Sequence, residues 1–309
     1  MKKNASSKYA FGIDLGGTKI AVALVNLKGK VIEKIQWPIL RPNPDKQPEP
    51  DVVVSQIADM VRTLIGSQGK KILGIGFIST GPLNVITKRL IYPTHFPEWK
   101  IVPICKLLEK KLAKFSINTS VEFQNDAMAA AMAESWVGGA KNVESFAVIT
   151  IGTGIGTGLF LNGRPAQSNG MGSEWGNGIY NEQSFEEIAS GSGILNKAKR
   201  LGFRGNSVEE LVSGINNGNN SYRIVFNEAA KALASLSFNL TIGFNLEKIL
   251  FSGGLIQAQD LFFDELKKQY RKLINTFGGG FGASLEIAKL KNDAGVVGAA
   301  SLVFNKKGK

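Results

Sequence analysis

The chain has 309 residues and a formal net charge of +12, because 37 lysines and arginines outnumber 25 aspartates and glutamates. With 43% apolar and 20% charged residues, the composition is that of a globular protein of roughly two domains and excludes a disordered chain. No run of residues has the roughly 18 uncharged apolar positions that a membrane helix needs. The basic segment at residues 1–8 leads straight into a strand without an apolar signal core, so we expect a cytoplasmic protein without a membrane partner.

Metal-binding and nucleophilic side chains are scarce. His95 is the single histidine and Cys105 the single cysteine, so an intrachain disulfide is excluded and a Cys/His zinc site lacks ligands. A Ser-His-Asp triad would have to use His95. The basic residues are spread along the chain, and the densest runs, at 106–114 and 267–272, alternate with leucines as solvated helix faces do. We therefore expect no zinc and no nucleic-acid partner, although a basic surface suits phosphate-bearing substrates.

Strand and helix patterns alternate along the chain, which predicts an α/β fold. The first half has, in order, two strands around a glycine turn at 11–26, a strand at Val31–Pro38, a proline-rich loop containing Pro42, Pro44, Pro48 and Pro50, a helix capped by Asp51, a buried strand at Ile72–Ile78, a helix at Ile101–Lys114, a strand at Ser120–Phe123 and a helix at Ala127–Val137. The second half has a glycine-turn hairpin at 147–162, a helix at Arg223–Phe244, strands at Ile249–Ser252 and Leu285–Lys289 and a terminal helix at Gly295–Phe304.

The two glycine-turn segments resemble each other. Aligning them places Gly16 on Gly152 and Asn26 on Asn162, and each segment opens a run of strands that a helix follows. This pattern indicates a duplication of one α/β half. We expect a boundary near Asn125, with domains at 1–125 and 126–292 and with the terminal helix, about 293–309, returning to the first.

Asp14-Leu-Gly-Gly-Thr-Lys19 places a carboxylate at the end of a strand, before a turn in which Gly16 and Gly17 have no side chains. Backbone N–H groups can approach phosphate oxygens there, and Thr18 and Lys19 add a hydroxyl and a cation. Alone, this pattern is equally typical of a tight hairpin turn. It is neither a Walker A loop nor a Gly-x-Gly-x-x-Gly fingerprint.

Two later glycine clusters favour the phosphate interpretation. The run from Gly152 to Gly158, which includes Thr153 and Gly154, has more glycine than a hairpin needs. Two such turns facing each other would hold a polyphosphate chain between them. The pair Gly253-Gly254 follows a strand and precedes a helix, which suits a nucleotide ribose or phosphate.

Polar residues at two further places are candidates for sugar chemistry. Asp126, between a strand and a helix, is either an N-cap or a carboxylate that accepts a hydroxyl proton, and the two roles are compatible. Glu174 and Asn177 lie among glycines, with Glu186 downstream, and carboxylates and amides are the groups that bind several sugar hydroxyls. Ordinary loop polarity is the alternative for this second group.

Together these segments resemble the ROK family (repressors, open reading frames, kinases) from about residue 9 to 304. The resemblance is carried, in family order, by Asp14-Leu-Gly-Gly-Thr-Lys19, Gly76 to Gly81-Pro82, Asn125-Asp126, Gly152-Thr-Gly-Ile-Gly156, Gly172-Ser-Glu-Trp-Gly176, Glu186 with Ala189-Ser190-Gly191, Ser252-Gly253-Gly254 and Gly295 to Gly298-Ala299. It implies two actin-like, ribonuclease-H-like α/β domains with a central cleft.

The resemblance also implies roles. The residues that meet the ATP phosphates and, through water, Mg²⁺ would be Asp14, Gly16, Gly17, Thr18 and Lys19. Thr153 and Gly154 would contact the phosphates from the second loop, and Gly253 and Gly254 would contact the adenosine. Asp126 matches the catalytic base. The sugar-binding positions would be Gly81, Asn125, Glu174, Asn177 and Glu186.

Two departures from the family pattern affect the prediction. Many members have a sugar- and zinc-binding histidine where this chain has Asn177, followed by a cysteine motif that residues 178–184 lack, so we expect no structural zinc. Family repressors carry a winged helix before the first glycine motif, whereas 13 residues precede Asp14 here, which favours an enzyme.

The sequence therefore predicts a kinase that transfers the γ-phosphoryl group of ATP to a hexose, with glucose as the first candidate. Fructose, mannose or N-acetylmannosamine as acceptor, polyphosphate as donor, and a sugar-sensing protein without catalysis stay open, as does a homodimer.

Overall fold

The structure is a computed structural model that describes residues 8–43, 45–66, 71–276, 278 and 280–305. The basic residues at 1–7, Pro44 of the proline-rich loop and the end of the predicted first domain at 306–309 lie outside the described residues. Among the residues described, no helix is both long enough and apolar enough to cross a membrane.

The described chain alternates strands and helices, as the α/β prediction requires. The strands are β1 (Lys8–Leu15), β2 (Lys19–Asn26), β3 (Val31–Pro38), β4 (Lys71–Ser79), β5 (Leu83–Asn84), β6 (Arg89–Ile91), β7 (Ile101–Val102), β8 (Val121–Asn125), β9 (Phe146–Ile151), β10 (Ile155–Leu161), β11 (Arg164–Pro165), β12 (Ile179–Tyr180), β13 (Gln183–Ser184), β14 (Lys248–Ser252) and β15 (Ser284–Ile287). The α-helices are α1 (Pro50–Ile65), α2 (Ile104–Ala113), α3 (Asp126–Val137), α4 (Phe185–Ala189), α5 (Gly191–Arg200), α6 (Val208–Asn216), α7 (Arg223–Phe244), α8 (Phe263–Thr276) and α9 (Ala294–Asn305).

The chain forms two compact units. The first comprises 1–141, 167–172 and 292–309, and the second comprises 142–166 and 173–291. This division differs from the sequence-based boundary near Asn125, because α3 packs against α9 and both lie in the first unit. The return of the terminal helix to the first unit agrees with the expectation from sequence.

The two large sheets repeat one topology, as the duplication predicts. Their strand orders are β3-β2-β1-β4-β8 in the first unit and β11-β10-β9-β14-β15 in the second. In each, the first three strands along the chain pair antiparallel, and the last two join in parallel. The carboxyl ends of the parallel strands therefore lie at one edge of each sheet.

Helix α9 packs directly on the first sheet because two strand positions are glycine. A Cβ at Gly12 of β1 would collide with the carbonyl oxygen of Val296, and a Cβ at Gly76 of β4 would collide with that of Ala299. The opposite face of this sheet packs against α1 and α2 through an apolar core that includes Phe11, Phe77 and Leu108. Burial on both faces explains the near-continuous apolar runs of these strands.

Several predicted elements differ in their bounds from the structure. The strand predicted at Ser120–Phe123 runs from Val121 to Asn125. The pattern at Ile101–Lys114 contains a short strand, β7, before α2, since Pro103 separates them and occupies the N-cap position of the helix. Asp51 lies in the first turn of α1, and Glu49 is the N-cap residue, without a side-chain hydrogen bond. The strand predicted at Leu285–Lys289 ends at Ile287.

Candidate functional site

Three parallel strands of the first unit bring their polar ends to one edge. Leu15 of β1 pairs with Ser79 of β4, which pairs in turn with Asn125 of β8. Asp14 directly precedes Leu15, and Thr80 and Asp126 directly follow Ser79 and Asn125. Ligand sites in open α/β sheets lie at the carboxyl ends of parallel strands, so this edge is the candidate site of the first unit.

Asp14 lies between the first glycine loop and the start of α9. The loop is a tight hairpin, in which the Gly16 N–H donates to the Lys19 carbonyl oxygen at 3.1 Å. A Cβ at Gly295 would collide with the Asp14 carboxylate, so this helix end closes over it. Burial, and then the negative charge of Asp126, raise the pKa of Asp14 from 3.8 to about 6. The charges of Lys34 and Lys19 lower the pKa of Asp14 but only partly offset these two effects.

Asp126 is the first residue of α3, and the structure corrects one of its two predicted roles. The N-cap residue is Asn125, whose Oδ1 accepts from the Met128 N–H at 2.8 Å. Asp126 Oδ1 instead accepts from the Ala127 N–H at 2.8 Å. Burial raises the pKa of Asp126, while this backbone hydrogen bond, the charge of His95 and the Thr80 hydroxyl lower it. The predicted N-cap role is therefore wrong.

Sequence reasoning missed two neighbours of this carboxylate, Thr80 and His95. Thr80 directly follows β4 and directly precedes Gly81, a predicted sugar-binding residue, so its position in the sequence could have indicated that it belongs to the site. His95 lies in the loop between β6 and β7, and no motif singled it out. Its ring packs on the first glycine loop, since a Cβ at Gly17 would come within 2.8 Å of the His95 ring atoms Cγ and Nδ1.

The second unit has a cavity of about 710 Å³ at the equivalent edge of its sheet. Thr150 of β9 pairs with Ser252 of β14, so the second glycine loop and Gly253-Gly254 leave the sheet side by side. The cavity is lined by Gly152, Thr153, Gly191, Ser192, Leu195, Ser207, Val208, Glu209, Val212, Ser213, Asn216, Asn217, Gly254, Leu255, Gln257 and Ala258. Such a volume and a mixed lining are typical of small-molecule sites.

Gly253 shapes this edge of the second sheet. Its φ of 97° lies in the region that favours glycine, and a Cβ would collide with the backbone of Ile151. Gly254 is different, because a Cβ there meets nothing within 4 Å. Of the predicted nucleotide contacts, Thr153 and Gly254 line the cavity, whereas Gly154 and Gly253 do not.

The predicted sugar-binding residues of the second unit lie in two places. Glu186, in α4, accepts a hydrogen bond from the Ile155 N–H at 2.7 Å and lies against Gly154, so its carboxylate supports the second glycine loop. Glu174 and Asn177 are exposed at a 3-10 turn, where the Asn177 N–H donates to the Glu174 carbonyl oxygen at 3.1 Å. The remaining predicted sugar contacts, Gly81 and Asn125, lie in the first unit with Asp126.

The site of the first unit has the donor chemistry for Mg²⁺. Among the described residues, no group of three or more His, Cys, Asp or Glu side chains could hold a metal ion. Mg²⁺ in nucleotide enzymes, however, keeps several waters and needs only one or two carboxylates besides the phosphates. Asp14 and Asp126, each with a raised pKa, supply carboxylates that a cation would stabilise.

Comparison with known proteins places these features in a family. The family model of the ROK family matches residues 10–306, which is nearly the whole chain. The chain belongs to the ROK family. This membership accounts for the order of its glycine motifs.

The similarity of this ROK protein to individual relatives extends over whole chains. It is 26% identical to a glucokinase of Thermotoga maritima over 324 residues, covering 96% of this chain and 98% of that protein. The structure superimposes on the ROK hexokinase from Thermus thermophilus with a TM-score of 0.81 and 25% identity, covering 97% and 99% of the two chains. A ROK glucokinase from Streptomyces griseus, crystallised with glucose and AMPPNP, gives a TM-score of 0.74 at 22% identity, covering 95% and 98%. The fold is the actin-like ATPase fold of ROK sugar kinases.

Proposed function

We propose that this protein is an ATP-dependent hexose kinase, with glucose as the acceptor and glucose 6-phosphate as the product. Family membership and whole-length similarity to glucokinases support a sugar kinase. The observation that carries the catalytic part is Asp126. It stands at the carboxyl end of β8, next to the first glycine loop, with a pKa that burial raises toward the range of a useful proton acceptor.

In the proposed reaction, the oxygen of the sugar hydroxyl attacks the γ-phosphorus of ATP, and the bond from that phosphorus to the bridging oxygen breaks. The hydroxyl proton passes to the Asp126 carboxylate, and the electron pair of the broken bond leaves with ADP. Because the transition state is loose, most of the rate comes from positioning and electrostatic stabilisation. The Ala127 N–H and the Thr80 hydroxyl hold the Asp126 carboxylate in place for this transfer.

In the first unit, the phosphate chain meets the backbone N–H of Gly17, with Thr18 and Lys19 as further donors. The Gly16 N–H is already bonded to the Lys19 carbonyl oxygen, so Gly16 contributes by leaving space for the phosphates. Thr153 and Gly154 contribute the second loop. Asp14 would hold Mg²⁺ through water, and the bound ion would neutralise charge on the phosphates. This arrangement explains why two carboxylates with raised pKa values are kept near a phosphate loop.

The adenosine part of ATP occupies the cavity of the second unit, beside Gly253 and Gly254. A nucleoside-sized cavity lined by Gly152, Thr153 and Gly254 favours ATP over polyphosphate as donor, since polyphosphate has no base or ribose to bind there.

The residues that we propose for sugar binding are Gly81 and Asn125 in the first unit and Glu174, Asn177 and Glu186 in the second. Asn125 uses its Oδ1 as the helix cap, so its Nδ2 amide is the group left to donate to a sugar hydroxyl. Asn177 contributes a neutral hydrogen bond, worth about 0.5–1.5 kcal/mol, where zinc-bearing relatives have a histidine. Glu174 contributes a charge-assisted bond, which is stronger.

The test is a coupled ADP-release assay with Mg·ATP and a panel of glucose, fructose, mannose, N-acetylmannosamine and N-acetylglucosamine. A parallel assay measures sugar phosphate formed from polyphosphate. We expect the highest kcat/KM with glucose and ATP. Preference for another sugar would contradict the acceptor, and preference for polyphosphate would contradict the donor. Sugar binding without any phosphorylation would indicate a sensor.

Asp126→Asn tests the base directly. We expect kcat to fall at least 1,000-fold, about 4 kcal/mol, with sugar affinity within a few-fold, because the amide keeps its hydrogen bonds but cannot accept the proton. Asp59→Asn is the matched control, since Asp59 lies on α1 in a solvent-exposed pair with Arg62. A variant of Asp126 that kept a tenth of the wild-type kcat would exclude it as the base.

A further inference from the structure

His95 is the one part of the first-unit site to which the mechanism above gives no role. Its ring lies on Gly17, so near that a Cβ at this glycine would be 2.8 Å from Nδ1 and 3.2 Å from the His95 Cβ. The residue is partly buried and is the single histidine of the chain. A side chain so placed borders the backbone that contacts phosphate in the proposed reaction.

The loop that carries His95 is held on both sides. Before it, the Thr94 N–H and hydroxyl both point to the Gly81 carbonyl oxygen, at 3.4 and 3.3 Å. After it, buried Phe96 stacks on Trp99 with a centroid distance of 4.1 Å, and the Trp99 indole N–H donates to the Pro48 carbonyl oxygen at 2.8 Å. The loop backbone that carries the imidazole is therefore held on both sides of His95, and such support is what a transition-state donor needs.

The same imidazole also acts electrostatically on the proposed base. The charge of His95 is among the influences that favour the ionised form of Asp126. The ring thus borders the loop that contacts the phosphates in the proposed reaction, and it lies within electrostatic range of the Asp126 carboxylate. During transfer, the γ-phosphoryl group has to pass between those two places.

We propose that His95 is a catalytic residue that donates an imidazole N–H to a non-bridging oxygen of the phosphoryl group during its transfer. This inference rests on the proposed kinase function. In a loose transition state, charge is spread over the three equatorial oxygens. A donor beside these oxygens therefore stabilises the transition state more than it stabilises bound ATP. No bond to His95 forms or breaks: the phosphoryl group moves from ATP to the sugar oxygen, ADP leaves, and the hydroxyl proton still goes to Asp126.

The kinetic test compares His95→Ala, His95→Gln and the control Glu98→Gln, an exposed residue of the same loop. Removal of one transition-state donor costs about 100-fold in kcat or more. We expect that loss for His95→Ala, a smaller loss for His95→Gln, which keeps a donor, and wild-type rates for Glu98→Gln. KM for ATP and sugar should change by less than threefold. A wild-type kcat in His95→Ala, or a defect confined to KM, would overturn the proposal.

A spectroscopic test uses the wild-type protein and so does not depend on folding of a variant. Because the chain has one histidine, its imidazole carbon-bound protons give an unambiguous NMR signal. We expect a larger shift with Mg·ADP, aluminium fluoride and glucose, which mimic the transition state, than with Mg·ADP and glucose. Equal shifts would overturn the catalytic role.

The two tests separate this inference from the function on which it rests. A wild-type enzyme that phosphorylates sugar while His95→Ala does so equally well refutes the role of His95 alone. A wild-type protein that phosphorylates no sugar refutes both.

Discussion

Replacing Asp14 by asparagine should stabilise the ligand-free protein while removing its activity. The carboxylate is partly buried and faces Asp126, and both effects, burial first, raise its pKa from 3.8 to about 6. An ionised group with a raised pKa in the folded state lowers the free energy of unfolding. Asparagine has nearly the same shape but no charge to desolvate.

The magnitude follows from the two pKa values. At about 1.4 kcal/mol per tenfold change, raising the pKa from 3.8 to about 6 corresponds to about 3 kcal/mol. Residual solvent access at Asp14 reduces this, so we expect about 1.5–3 kcal/mol, or about 5–10 °C in Tm. Above pH 6 the folded carboxylate is ionised and the full difference is present. As the pH falls below 6 it is progressively lost, and below about 3.8 the wild type and variant should be equally stable.

The assay is urea unfolding of the ligand-free protein between pH 4 and 8, with tryptophan fluorescence as the signal. Trp37, Trp99 and Trp136 belong to the first unit, so the signal reports mainly the unit that contains Asp14. Asp59→Asn should change the free energy of unfolding by less than about 0.5 kcal/mol at every pH. A destabilised Asp14→Asn at pH 7.5, or a difference from wild type that does not shrink toward pH 4, would refute the reasoning.

Three further predictions test individual contacts. Gly254→Leu should keep the fold and raise KM for ATP at least tenfold, with little change in KM for sugar. Gly253→Ala should instead lower the free energy of unfolding by more than about 1 kcal/mol, because its Cβ would meet backbone atoms. Equal stability of the two variants in urea would contradict this prediction. Asn125→Asp should keep the helix cap and the stability of the protein but raise KM for sugar. Asn125→Ala should raise KM for sugar and also lower the free energy of unfolding by about 1 kcal/mol, as measured by sugar titration and urea unfolding. The same stability in both variants would exclude the cap. Glu186→Ala should raise KM for both ATP and sugar, since the Ile155 N–H loses its acceptor, and Glu186→Gln should raise KM for sugar alone. Steady-state kinetics that showed an unchanged KM for ATP in Glu186→Ala would exclude the role of Glu186 in supporting the second glycine loop.

The fold was largely predictable because its signals are local. Apolar periodicity gave the bounds of β3 and α7 without error, and the repeated glycine hairpin predicted the repeated sheet topology. The β7 strand was missed because an apolar pair that continues into an amphipathic pattern looks like one helix, and only the position of Pro103 separates them.

The site was predictable where its residues belong to contiguous motifs. The first glycine loop and Asn125-Asp126 are such cases, but which of the two residues caps α3 depended on where β8 ends, a one-residue difference that propensities do not resolve. His95 reaches Gly17 only through the packing of a loop far away in sequence, so no local pattern could have revealed the contact.

The packing of α9 makes the first sheet depend on a segment far away along the chain. The helix covers Gly12 and Gly76 in this sheet, and its first turn lies on the Asp14 carboxylate. Until residues 294–305 dock, this sheet face is therefore uncovered and Asp14 lacks the helix end that closes over it. Chains truncated within this helix should bind chaperones or be degraded.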